Sequence, residues 1–395
     1  MMIIPDRWRM LFVLFLARTA MAYQFQTVPS DGPLLIESLG LGFAQLGTLI
    51  GLYMLPGIVL ALPGGMLAQR FGAERVVLSG LALMAAGGAL MGAQSIGLIF
   101  AGRVVSGLGA VFINVLMTKM VTDWFAGRDI TAAMAVFVSS WPLGIALGLI
   151  SFPPLAAAYG WASVMYVSAA IVLICFLLVA LIYRAPPGVA VEGRASLEID
   201  LSRREWLLIS LAGFIWGSFN AGYVIFISFL PDLFVARGYS LADASRVVSV
   251  LAWAVIVTVP LAGYLAEHLK RPNLMMMGGF VTVAAAAALL PAVSVPIIPF
   301  AVLAIIIGLP PGPIMALTAE SLRPEKRSTG MGVFYTWHFA AMAVLPAVAG
   351  TARDLSGSAA APIVFAAITM VAVAAALIAF RFAQRRFGEA DAARR

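Results

Sequence analysis

The chain holds one cysteine, Cys175, and two histidines, His268 and His338. An intramolecular disulfide is excluded, and no Cys/His spacing fits a zinc site, so neither a metal nor another cofactor is expected. Charged residues make up 11% of the sequence, where soluble domains carry about a quarter. Barrel strands would alternate apolar and polar residues over about ten positions. Instead, Ile171 to Leu181 and Val371 to Phe380 are apolar throughout. No nucleotide-binding glycine loop is present, nor a nucleophile with its base, so an enzyme is not expected and no catalytic residue is assigned. Acidic side chains are absent from the interiors of the apolar runs: all 18 Asp and Glu residues fall in loops or near run ends.

Hydrophobic residues supply 62% of the chain, in twelve runs of the roughly 20 residues that cross a bilayer as a helix. They cover residues 8–28, 44–66, 76–94, 97–119, 130–150 and 160–183, then 206–230, 243–267, 273–293, 296–319, 328–350 and 360–382. This predicts an all-α membrane protein of twelve transmembrane helices. The longest polar connection carries Pro186, Pro187 and Gly188 and reads as a linker. It divides a six-helix bundle at 1–183 from one at 206–395, with residues 184–205 between them. Arginines precede the first run and Ala20-Met21-Ala22 resembles a cleavage site, but the run continues beyond it and reads as an uncleaved helix.

Lys and Arg alternate between sides. Arg237, Arg246 and Arg353 fall in outer loops, and nearly all the other basic residues fall in inner loops, span ends and tails. The positive-inside rule then places both termini in the cytoplasm, in a bacterial-type inner membrane. The net charge of +7 is spread over alternate loops, not gathered in one patch, so nucleic-acid binding is not expected.

The sequence also repeats with an offset of 198 residues. Trp8 maps onto Trp206, and Gly65-Met66-Leu67-Ala68-Gln69 onto Gly263-Tyr264-Leu265-Ala266-Glu267, each pentad followed by basic residues. Parallel repeats of membrane spans are a plan of secondary transporters, with the substrate held near mid-membrane.

The stretch from Gly65 to Arg75, with Gln69, Arg70 and Gly72, resembles the signature loop of the major facilitator superfamily. Arg103-Val104-Val105-Ser106-Gly107-Leu108-Gly109 resembles that family's Arg-x-x-x-Gly-x-Gly motif. The resemblance covers the whole chain. It implies a two-bundle fold working by alternating access, and a conformational gate built from Gly65, Gln69, Arg70, Gly72 and Arg75, with Gly263 and Glu267 as the repeat copy. Gln69 stands where the family usually has Asp, which weakens the charge pairing implied there. Trp141-Pro142 only partly matches the Gly-Pro motif of antiporters.

An arginine within a span costs between about 2.5 and 17 kcal/mol, depending on the reference scale. Two fall well inside: Arg18 and Arg103. Arg18 lies about 15 Å along the first span at 1.5 Å per residue. It either caps carbonyls at a broken helix or binds an anionic group of a substrate. Arg103 shares a helix face with Gly107, Ala110 and Asn114. Arginines in the first and fourth spans look like the organic-anion symporter branch of the superfamily, though the acidic residues that usually accompany them are Ala17 and Ala110 here. Asn220 to Tyr223 with Phe229-Leu230-Pro231 looks somewhat like cyanate-permease relatives.

The second half offers Trp216, Asn220 and Tyr223 on one helix face, and Tyr335 and His338 on another. His338 is a candidate proton carrier because an imidazole titrates near neutral pH. Pro310-Pro311-Gly312-Pro313 should break span ten. The expectation is a monomeric secondary transporter of a small organic (carboxylate-type) or inorganic anion, proton-coupled or working by exchange. Arg18, Arg103, Asn114, Trp216, Asn220, Tyr223, Tyr335 and His338 would form its site, and efflux of lipophilic compounds is the alternative.

Overall fold

A computed structural model describes residues 6–61, 70–93, 95–125, 129–186, 201–293, 297–323 and 326–392. Among these it contains helices and no strand. In chain order the helices are α1 Asp6–Ser30, α2 Gly32–Leu39, α3 Phe43–Leu52, α4 Leu55–Leu60, α5 Ala73–Met91, α6 Ile96–Phe125, α7 Ile130–Tyr159 and α8 Trp161–Ile182. They continue with α9 Arg203–Val235, α10 Leu241–Leu269, α11 Pro272–Leu289, α12 Ile297–Ile306, α13 Pro311–Ser321, α14 Arg327–Ser356 and α15 Ala361–Ala392.

Eleven helical segments among the described residues are long and apolar enough to span a membrane, α3 with α4 and α12 with α13 each counting as one. The twelfth is α1, whose 25 residues extend about 37 Å at 1.5 Å per residue. Its composition is more polar because Arg18, Thr19, Gln24, Gln26 and Thr27 lie along it. Every residue from Thr19 to Ser30 is buried all the same, so the second half of α1 is wrapped by protein instead of lipid. The twelve predicted spans are therefore all helical. Two are broken at proline: Pro56 opens α4 and Pro311 opens α13. Span ten breaks where its proline cluster predicts. The break at Pro56, and the short helix α2 ending at Gly40 with φ +64°, were not anticipated.

By contact the chain forms two compact units, the first Met1–Leu41, Leu52–Ala195 and Ser240–Trp253, the second Gly42–Gly51, Ser196–Tyr239 and Ala254–Arg395. In the first, α5 packs most extensively on α6 and α1 on α7 and α8. Small residues permit the approach: a Cβ on Gly109 would collide with the Gly80 carbonyl oxygen, and one on Gly102 would stand 2.5 Å from that of Gly87. Close backbone contact of this kind drives helix association where lipid removes the hydrophobic incentive.

In the second unit α9 packs against α13, α14 and α15. Its start is a capping box. Glu205 N donates to Ser202 Oγ at 3.3 Å and Ser202 N donates to Glu205 Oε2 at 3.0 Å. Glu205 also accepts from Arg323 Nε at 3.0 Å and Nη2 at 3.1 Å, so Arg323, just beyond α13, is tied to the start of α9. Glu320 pairs with Arg381, which also donates to Asn273 Oδ1 at 2.8 Å. Residues 42–51 join this unit through Gly47 and Gly51, which lie against the Pro346 and Ala343 carbonyls. Asp354 accepts from Phe43 N at 2.9 Å and Ala44 N at 2.8 Å, placing a carboxylate at the amino end of α3.

Replacing Gly109 with Val is expected to cost about 1–3 kcal/mol through overpacking against α5. The same change at Gly97, which has open space around it, should leave stability unchanged. Thermal unfolding of the two purified variants checks this, and equal midpoints would remove the packing argument.

Candidate functional site

Arg18 projects from the middle of α1 toward α7. Its Nη1 donates to Phe137 O at 3.1 Å, Val138 O at 3.3 Å and Ser140 Oγ at 3.3 Å, and its Nη2 to Asn114 Oδ1 of α6 at 3.4 Å. The guanidinium lies 4.8 Å from the Phe137 ring centroid. Pro142, inside α7, explains the acceptor. Proline has no N–H, so the carbonyl four residues earlier, Val138 O, has no helical donor. Arg18 supplies one.

Arg103 repeats the arrangement in the opposite direction. From α6 it donates through Nη2 to Phe25 O at 2.8 Å and through Nη1 to Gln24 O at 3.3 Å. Pro29 lies inside α1, and Phe25 O is the carbonyl that its missing N–H leaves unserved. Tyr53 and Phe25 present their rings to the guanidinium at 4.6 and 5.3 Å, a cation–π enclosure. Arg103 is wholly buried whereas Arg18 is half-buried. The face it shares with Gly107 and Ala110 is packed too: a Cβ on Gly107 would stand 2.5 Å from Tyr53 O, and Ala110 is buried. Of that face, Asn114 is the half-buried member, and it meets Arg18.

In the second unit the ring of Trp216 on α9 stacks on Phe334 at 6.3 Å and approaches His338 on α14 at 6.1 Å. Tyr335 meets His338 edge-on at 6.1 Å. Asn220 turns its amide back to Trp216 O at 2.8 Å. Tyr223 and His338 are buried, and Tyr223 Oη and His338 Nδ1 have no hydrogen-bond partner. The structure thus joins Arg18 with Asn114 in one cluster and Trp216, Tyr335 and His338 in another, while Arg103 and Tyr223 stand in packed surroundings of their own.

Of the gate residues, Gly65 and Gln69 lie outside the described residues, as does the Glu267 side chain. Arg70 lies over the Phe71 ring at 5.3 Å, Gly72 takes φ +86° and the Arg75 carbonyl accepts from Ser79 Oγ at 2.9 Å. Gly263 has open space where a Cβ would stand. His268 is in the last turn of α10, with Nδ1 2.9 Å from Tyr264 O. Two features went unread. One is the buried carboxylate of Asp31. The other is the matching of each intramembrane arginine to a proline, visible by counting back four residues from Pro29 and Pro142.

Replacing Arg103 with Met should cost about 2–3 kcal/mol, because it strands a buried carbonyl and removes a charge-assisted bond. In a Pro29→Ala background Phe25 O regains a helical donor, and the same change should cost measurably less. A double-mutant cycle on thermal unfolding reads this coupling. Additive losses would show that Arg103 does not serve the proline break.

The family profile of the Major Facilitator Superfamily matches residues 10–346. The chain is 28% identical to the 2-nitroimidazole transporter of Escherichia coli K12 over 241 residues, which is 58% of each protein. It is 24% identical over 208 residues to the choline/ethanolamine transporter FLVCR2 of Rattus norvegicus, covering 50% of this chain and 38% of that one. It therefore spans well under two thirds of the length of either relative. A crystal structure of a bacterial homologue of the human lysosomal transporter Spinster, inward-facing and unoccupied, superposes with a TM-score of 0.71 at 16% identity over 98% of both chains. At that identity the superposition speaks for the fold alone. A profile spanning most of the sequence, apolar spanning helices among the described residues and a matching solved fold lead to one assignment: the chain is a multi-pass membrane protein of the major facilitator superfamily.

Proposed function

We propose that this transporter moves a small organic or inorganic anion by alternating access, proton-coupled or by exchange, with Arg18 as the principal anion ligand and Asn114 beside it. We place it as a monomer in a bacterial-type cytoplasmic membrane with both termini inside, and residues 1–183 and 206–395 as its functional bundles. The observation that carries the reading is the setting of Arg18. Its guanidinium is half-buried midway along a spanning helix and is oriented by neutral oxygens of Phe137, Val138, Ser140 and Asn114. A planar fork fixed in advance loses little entropy on meeting a carboxylate or similar oxyanion, and it suits bidentate recognition. Arg103, wholly buried on backbone carbonyls, takes a supporting role and keeps α1 in place.

A second reading is export of a small aromatic compound. It is favoured by the grouping of Trp216, Phe334, Tyr335 and His338 and by the substrate in the name of the E. coli relative. Both readings face one experiment: thermal stabilisation of purified wild type and Arg18→Gln by lactate, gluconate, sulfate and 2-nitroimidazole. A ligand at a hundred times its Kd stabilises by about 2.7 kcal/mol. The expected outcome is a shift with one anion class that disappears in Arg18→Gln. A shift with 2-nitroimidazole alone, retained in the variant, would replace the anion reading with the aromatic one.

A further inference from the structure

Asp31 follows the last residue of α1, and the structure takes it out of water. It occupies the turn before α2 with 0% exposure, and neither of its carboxylate oxygens has a hydrogen-bond donor. Two more buried acceptors on the last two turns of α1, Gln24 Oε1 and Gln26 Oε1, also lack donors. Their amide nitrogens are already committed, Gln24 Nε2 to Met84 O at 2.8 Å and Gln26 Nε2 to Ser30 Oγ at 3.1 Å. This end of the first span therefore holds acceptors in excess of donors. An ionised carboxylate there is far costlier than a protonated one, which is neutral and becomes a donor itself.

The ionisable groups around the turn give no relief. On α1, Tyr23 is near enough to feel the Asp31 charge, but its hydroxyl is paired with Ser151 Oγ of α7 at 2.8 Å and its ring packs with Phe152, Ala156 and Val164. From α6, Arg103 is bound to the Gln24 and Phe25 carbonyls. Tyr53 donates to Met21 O at 3.1 Å. In α2, Glu37 is exposed. The outer halves of α7 and α8 contribute Tyr159 and Tyr166, both exposed. In the part of α10 that belongs to this unit, Asp243 and Arg246 are exposed and pair with each other at 2.9 Å. Burial pushes the Asp31 carboxyl well above the usual carboxylate range.

We propose that Asp31 is a proton-binding site, and that it, not His338, is the group through which a proton gradient acts on this transporter. The proton is held while the turn between α1 and α2 is packed away from water, and it leaves when that turn is hydrated. The inference rests on the reading of the chain as a gradient-driven transporter, but its test needs no substrate. The unfolded chain ionises Asp31 above about pH 4 while the native state keeps the proton, so the native state binds more protons and loses stability as pH rises from there. Asp31→Asn has the size of the protonated acid and nothing to titrate.

Infrared difference spectra of the purified protein near neutral pH are expected to show the carbonyl band of a protonated carboxylic acid. That band should shift in D2O, disappear in Asp31→Asn and persist in His338→Gln. Thermal midpoints recorded from about pH 5 to pH 8 should fall more steeply for wild type and His338→Gln than for Asp31→Asn. The proposal is overturned if wild type lacks the band, if the Asp31→Asn profile runs parallel to wild type, or if the slope is lost in His338→Gln instead. A gain in stability from sodium at constant pH that needs Asp31 would assign the site to a metal cation and overturn it equally.

Discussion

A carbonyl oxygen left without a donor inside a membrane protein is the constraint around which the first unit is arranged. Water is not at hand to serve it, and each unsatisfied group costs several kcal/mol. Proline creates such a carbonyl wherever it interrupts a helix. Pro29 does so at Phe25 and Pro142 at Val138, and in each case an arginine from a neighbouring helix delivers the missing N–H. The two caps run in opposite directions, α6 serving α1 and α1 serving α7. The three helices are thereby joined by directional bonds as well as by packing.

This arrangement explains why arginine, and not lysine, is found at both positions. The guanidinium offers five donors in a planar fork and can serve two carbonyls while presenting its faces to aromatic rings. Arg103 does both, with Gln24 and Phe25 as acceptors and Tyr53 and Phe25 as ring partners. A large desolvation cost at Arg103 is offset by several interactions at once, which is the condition under which a buried charge is tolerated.

The spans, their number and the broken tenth helix were legible because hydrophobic run length and proline are local signals. So were the intramembrane arginines, since a charge in an apolar run stands out in any reading. Their partners were harder to see. Arg18 meets Phe137 and Val138 more than a hundred residues away, and helix packing, not periodicity, brings them together. The proline offsets could have suggested that pairing. Asp31 was passed over for a different reason: it lies three residues beyond the apolar run, and position relative to a run does not reveal burial by a following helix. Helical spacing put Trp216 on one helix face and Tyr335 with His338 on another, whereas their meeting, the burial of Tyr223 and the turning of Asn220 onto its own helix come from packing.

The role proposed for Arg18, an anion ligand that also caps the α7 break, has a thermodynamic consequence. An anion that takes the guanidinium fork competes with Phe137 O and Val138 O for the same N–H groups. Phe137 O would keep a donor in the Ser140 hydroxyl, which already lies 2.5 Å from it. Val138 O would not, because Pro142 has none to give. Anion binding at Arg18 and the geometry of the α7 break are therefore linked, and by reciprocity any change that serves Val138 O another way makes Arg18 more available to the anion. A transporter needs its substrate to favour one helix conformation over another, since a ligand with equal affinity for both shifts nothing. Under the anion reading proposed above, a single arginine shared between a proline-freed carbonyl and a passing anion provides that difference.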